Sequence, residues 1–240
     1  MLKSEISIFN YFKTFPALRC PLGYALLVDD FNRLHPGQEN TFYNKLEKFT
    51  TAVVKLSESG NKFLKTVIEN YSKTKNLDNS KLENLDDADQ LFILSVLPFV
   101  FASQAPIKSK NKWRPSKLEA KEGFIIHVKS AADVEITLEQ RKDKYQAFGL
   151  TAQPVPIWVG ELKNIVASYV SVNDAVYKVE SPLKAIDVTF KLYFALGAQY
   201  PPEAKLAWLL LQKGIYNIHE NEKSYISLTT ILSDIKKHMS

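Results

Sequence analysis

The chain has 240 residues, 45% hydrophobic and 12% aromatic, enough to bury a sizeable core and too apolar for intrinsic disorder. Its net charge of +5 is local: Lys plus Arg stands against Asp plus Glu at 12 to 12 over residues 1–107, 6 to 1 over 108–121, and 13 to 13 over 122–240. That excludes a broadly polycationic surface and leaves two neutral bodies joined by a basic strap.

The N-terminal MLKSEISIFNYFK lacks the basic flank, continuous apolar stretch and cleavage site of a secretory signal. In residues 39–56, Phe42, Leu46, Phe49, Val53 and Leu56 recur at spacings of three and four, the stripe of an amphipathic helix. Pro36-Gly37 breaks the chain before it and Ser59-Gly60-Asn61 after it. A second helix is predicted over 61–73, with Phe63, Val67 and Ile68 inside, followed by a polar loop, SKTKNLDNSKLENLDD. Asp86, Asp87 and Asp89 then open a helix whose apolar residues surround the axis, so it should be central and buried, and end or kink near Pro98. The apolar run here, LFILSVLPFVFA, is far short of the roughly 20 residues a membrane span needs, so no membrane partner is expected. These features and a single cysteine, Cys20, fit a soluble protein of a reducing compartment, cytoplasmic or nuclear.

Beyond the strap, the β-branched run 123–128 predicts a strand and 132–148 a helix with Val134, Leu138, Arg141 and Tyr145 close in angle. PVPIWVG predicts a second strand, and the alternation around Asn173-Asp174, with Tyr169 and Ser171 before it and Val176 and Lys178 after, predicts a hairpin. Two helices follow: the first with Ser181 as N-cap, Pro182 at its first position and Gly197 as its stop, the second opening at Pro201-Pro202-Glu203. Trp208 and Leu209–Leu211 on that second helix read as core. The fold class is α+β: a helical domain (1–107), a basic linker (108–121), and a small α+β domain (122–240) with a short, mostly antiparallel sheet and two C-terminal helices.

The strap KSKNKWRPSK offers the clearest candidate site. Lys108, Lys110, Lys112 and Arg114 occupy every second position, so an extended backbone, favoured before Pro115, would project all four one way. Lys117 extends the positive set. Four aligned cations suit phosphates, and Trp113, pointing the other way, suits stacking on a base or insertion into a core. The cluster also has the character of a nuclear import signal. The competing reading is a solvated linker anchored by Trp113.

Other positions carry less chemistry. His127 has no nucleophile or carboxylate partner visible in sequence, and His35, His219 and His238 show no ligand spacing, so no metal site is expected. Cys20, without an activating base, is expected to be a buried, inert thiol. With eight glycines and neither GxGxxG nor GxxxxGK[ST], no phosphate-cradling loop and no cofactor is expected.

Residues 123–218 carry a pattern of Gly149, Thr151, Gln153, Pro154, Val159, Gly160, then Tyr177, then Ser181, Pro182, Leu183, Ala185, Asp187, Phe190, Lys191, Tyr200 and Pro201. This resembles a region shared by a group of arthropod and other animal proteins without an established activity. The resemblance implies a shared domain and transfers no residue roles. Several copies per genome would fit a mobile-element origin. The sequence thus predicts a non-enzymatic intracellular binding or adaptor protein with an unspecified protein partner. The alternative is a nucleic-acid-binding protein of mobile-element origin that uses the strap.

Overall fold

A computed structural model describes residues 8–74, 85–101, 106–219 and 225–239. Its helices are α1 (Ile8–Thr14), α2 (Gly23–Leu34), α3 (Thr41–Glu58), α4 (Lys62–Thr74), α5 (Asp87–Ser95), α6 (Lys117–Phe124), α7 (Asp133–Ala147), α8 (Pro182–Ala195), α9 (Lys205–Gly214) and α10 (Ile226–Met239). The strands are β1 (Ile126–Val128), β2 (Val155–Glu161), β3 (Asn164–Val172) and β4 (Ala175–Val179). The α+β class stands. Most of the polar loop predicted after α4 lies outside the described residues.

The chain forms two compact units, each drawn from three separated stretches. The first comprises the described residues of Met1–Pro36, Lys108–Asn111 and Ile125–Pro201. Its sheet runs in the order β1-β2-β3-β4, with β1 parallel to β2 and both later pairings antiparallel. The sheet is therefore mixed rather than mostly antiparallel. The cause is the long connection carrying α7 between β1 and β2, since parallel neighbours need such a crossover. β1 is also shorter than predicted: Gly123 and Phe124 close α6, and the strand starts at Ile126.

The hairpin forms where the alternation placed it, with Val172 opposite Ala175 and a two-residue loop in which Asn173 takes φ 54°. Asn tolerates that left-handed value better than most side chains. Ser181 caps α8, its hydroxyl accepting the Lys184 amide at 3.1 Å, and Gly197 stops the helix at φ 59°. α8 lies on the sheet face that carries Trp158, whose indole N–H donates to the Pro182 carbonyl at 3.0 Å. α2 packs on α8, with Phe31 edge-on to Phe190 and Phe194 at 6.0 and 5.6 Å.

Gly160 sits where the β2–β3 register shifts, at φ 110°. A Cβ there would lie 2.5 Å from the Asn164 carbonyl oxygen, main chain that has little freedom to retreat. Gly160→Ala is therefore expected to cost on the order of 2 kcal/mol or more in urea unfolding; an unchanged midpoint would contradict this geometry.

The start of the chain is tied along β4. The Tyr177 hydroxyl donates to the Leu18 carbonyl, Arg19 pairs with Asp174 at 3.2 Å, and the Tyr24 hydroxyl donates to Glu180 at 3.2 Å. Burial above all, then the charges of Asp174 and Cys20, push the Tyr177 phenol up to about 12. Protonated phenol is the neutral form, so the folded chain holds this proton more tightly than the unfolded one. The resulting stabilisation is complete below the ordinary value of 10.0 and is lost as pH rises through about 12. Denaturant midpoints measured from about pH 9 to about pH 12 should fall less steeply in Tyr177→Phe than in the wild type; identical slopes would show that Tyr177 is not a source of alkaline lability.

The second unit comprises the described residues of Gly37–Ile107, Lys112–Phe124 and Pro202–Ser240 and is helical. On α3, Phe42, Leu46, Phe49 and Val53 are all buried, as the stripe predicts, and α4, α5 and α10 pack around that helix. Asp86 caps α5 in a reciprocal arrangement with Asp89. From Leu91 on, the helix is buried on every side, and it gives way at Pro98 to the 3-10 turn Leu97–Val100. Asn61 fixes that turn: its amide donates to the carbonyls of Phe99 and Val100, both at 2.9 Å. Trp208 on α9 is buried against Phe124 at 4.7 Å. Among the described residues no helix is long and apolar enough to cross a membrane.

Candidate functional site

The two faces of the sheet are covered unequally. One face carries Pro156, Trp158, Ser168, Val170, Tyr177 and Val179, all buried, beneath α8 and, over β4, the residues Leu18 and Tyr24. The opposite face is covered only along β1 and β2, where Val134 and Leu138 of α7 pack on Ile126, Val155, Ile157 and Val159. Burial falls steadily across this face. Ile157 on β2 is fully buried, its partner Tyr169 on β3 is half-buried, and on β4 Val176 is 47% exposed and Lys178 is exposed. Four strands about 4.8 Å apart need more cover than one helix about 10 Å wide can provide.

The uncovered half is a trough of about 650 Å3. Its floor is Val155, Tyr169, Ser171 and Val176, and one wall is Ala131 followed by α7 from Val134 to Lys142. Ala152 and Gln153 close one end and the Asn173-Asp174 turn lies beside them. Ser171 is only 8% exposed, yet its hydroxyl has no hydrogen-bond partner among the described residues. The Gln153 side chain donates from Nε2 to the Thr151 carbonyl at 3.2 Å, leaving its buried Oε1 without a donor. On the wall, Glu135 and Glu139 stand one turn apart, both exposed, and neither makes an ion pair among the described residues. Further along α7 the wall turns basic, with Lys142 exposed and the Arg141 guanidinium 4.7 Å from the Tyr145 ring centre.

The strap does not run as one extended strand. Ile107 pairs antiparallel with Trp113, which folds the intervening residues into a turn, and the Lys110 amide donates to the Phe148 carbonyl at 2.9 Å. Lys108, Lys110, Lys112 and Arg114 are all exposed, but the turn removes the common direction that strict alternation would give them. Trp113 is 5% exposed and donates its indole N–H to Glu119 at 3.2 Å, so its ring is core and not a stacking platform. Lys117 lies 3.7 Å from the Phe63 ring centre, and burial pulls its ammonium below the ordinary lysine value. After Arg114 the strap becomes helix: Ser116 and Glu119 cap α6 reciprocally at 2.7 and 3.1 Å. The spacing S-x-x-E carries that signal in the sequence.

Cys20 is exposed rather than buried. It ends the 3-10 turn Pro16–Arg19, in which Leu18 takes the inward position instead. The exposed His127 donates from Nε2 to the Gly160 carbonyl at 2.7 Å. Among the described residues no group of three or more His, Cys, Asp or Glu is placed to hold a metal ion. Set against protein-family models, curated proteins and solved structures, the chain matches none.

Proposed function

We propose that the protein is a non-enzymatic intracellular binding or adaptor protein, and that the trough between α7 and the β3–β4 hairpin is the surface that holds its partner. The observation that carries this reading is the fall in burial from Ile157 through Tyr169 to Val176 across one sheet face. A hollow of about 650 Å3 is of ligand-site size, and it sets the apolar side chains Val134, Leu138, Val155 and Val176 beside the charged Glu135, Glu139, Arg141, Lys142 and Asp174. A thermal-shift screen of a small-molecule and peptide collection tests it. Compounds that raise the melting temperature of the wild type are expected to have no effect on Val176→Trp, which fills the floor from an exposed position. Hits that stabilise both proteins equally would place binding elsewhere.

The second reading, nucleic-acid binding through the strap, is supported by the exposure of Lys108, Lys110, Lys112 and Arg114. It predicts fluorescence-anisotropy binding of duplex DNA with a log-log salt slope of about −3 to −4, abolished when all four are changed to Ala. Equal binding by both proteins, or none, removes it.

A further inference from the structure

We propose that the trough takes an extended peptide carrying a basic side chain, with a backbone amide of the peptide donating to the Ser171 hydroxyl on the floor and the basic side chain standing against Glu135 and Glu139 on the wall. This inference rests on the trough being the binding surface.

Three observations select that occupant. The floor holds hydrogen-bonding capacity that the protein leaves unused. Ser171 is 8% exposed and its hydroxyl has no hydrogen-bond partner among the described residues. Covering that hydroxyl without satisfying it is unfavourable, because it gives up its contact with water for nothing. A helix laid in the trough would do that, because its own backbone donors are already used. An extended chain has amides free at every second residue. The second observation is charge. Glu135 and Glu139 repel each other at a spacing of four residues on α7, with no cation paired to either. A lysine or arginine on the ligand supplies that charge at the Glu135 and Glu139 stretch of the wall, apart from Arg141 and Lys142 further along α7. The third is length: the helical wall runs from Val134 to Lys142, roughly 12 Å of helix, which spans about four residues of extended chain.

Selection from a randomised display library of peptides about eight residues long against the full chain tests this. The selected peptides are expected to carry Lys or Arg at one shared position. Their affinity is expected to fall about tenfold or more in the Glu135→Lys/Glu139→Lys variant, and severalfold in Ser171→Ala. Glu135→Gln/Glu139→Gln gives the same direction of change if charge reversal disturbs α7, and the melting temperature of each variant is checked first. Peptides whose binding is lost in Val176→Trp but unchanged by the Glu135 and Glu139 substitutions would overturn the basic-peptide inference while leaving the trough as the binding surface. Peptides insensitive to every one of these substitutions, or no enrichment at all, would overturn both.

Discussion

Asp187→Ala is expected to destabilise the sheet-containing unit by about 3–5 kcal/mol, the usual cost of breaking a buried ion pair from one side. Asp187 and Lys191 lie one turn apart on α8, 2.8 Å from each other, with side chains 1% and 3% exposed. Removing the carboxylate leaves an ammonium enclosed beneath Phe31 with its nearest opposite charge gone. Removing both charges is different in kind: Asp187→Leu/Lys191→Met should recover most of the loss, because well-packed apolar pairs replace buried ion pairs at little cost. Urea unfolding of the two single variants and the double variant measures this. A single variant costing less than about 1 kcal/mol would mean that water reaches the pair in solution.

Trp158→Ala comes next, at about 3–5 kcal/mol. The side chain is fully buried at the centre of the covered sheet face, and its indole N–H holds the Pro182 carbonyl at the first turn of α8. Its loss opens a cavity between sheet and helix and frees a buried acceptor. Trp158→Phe keeps most of the apolar volume and loses the donor, so it is expected to fall between the wild type and Trp158→Ala. If the Ala variant cost under about 1.5 kcal/mol, the sheet and α8 would have to collapse onto the vacated space.

How far the sequence reveals this fold depends on whether a signal is local. The stripe Phe42–Leu46–Phe49–Val53, the Asp86 cap, the Ser181-Pro182 start and the Asn173-Asp174 turn are all local, and each element stands where its residues predict. α2 has the same kind of signal in Tyr24, Leu27 and Phe31, all buried, and in the Pro36-Gly37 break that follows. The S-x-x-E box at Ser116 likewise marks the start of α6 inside the basic segment. Sheet direction was not local. It depended on β2 returning to lie beside β1 after α7.

The site was less legible for the same reason. Period two places Tyr169, Ser171, Val176 and Lys178 on one face of the hairpin, and the pairing confirms that face. Nothing in those residues tells that α7 stops over β2, while α8 covers the other side. Coverage is decided by elements distant in sequence. Cys20 shows the converse: a small apolar-looking residue between Arg19 and Pro21 gave no sign that Leu18 would be the one turned inward.

The most direct measurement is amide chemical-shift mapping of the full chain with the best ligand from the thermal-shift screen. The trough account predicts perturbations confined to residues 131–142, 152–155 and 169–176. Perturbations concentrated at 108–114, or on the face that carries Trp158 and Tyr177, would contradict it.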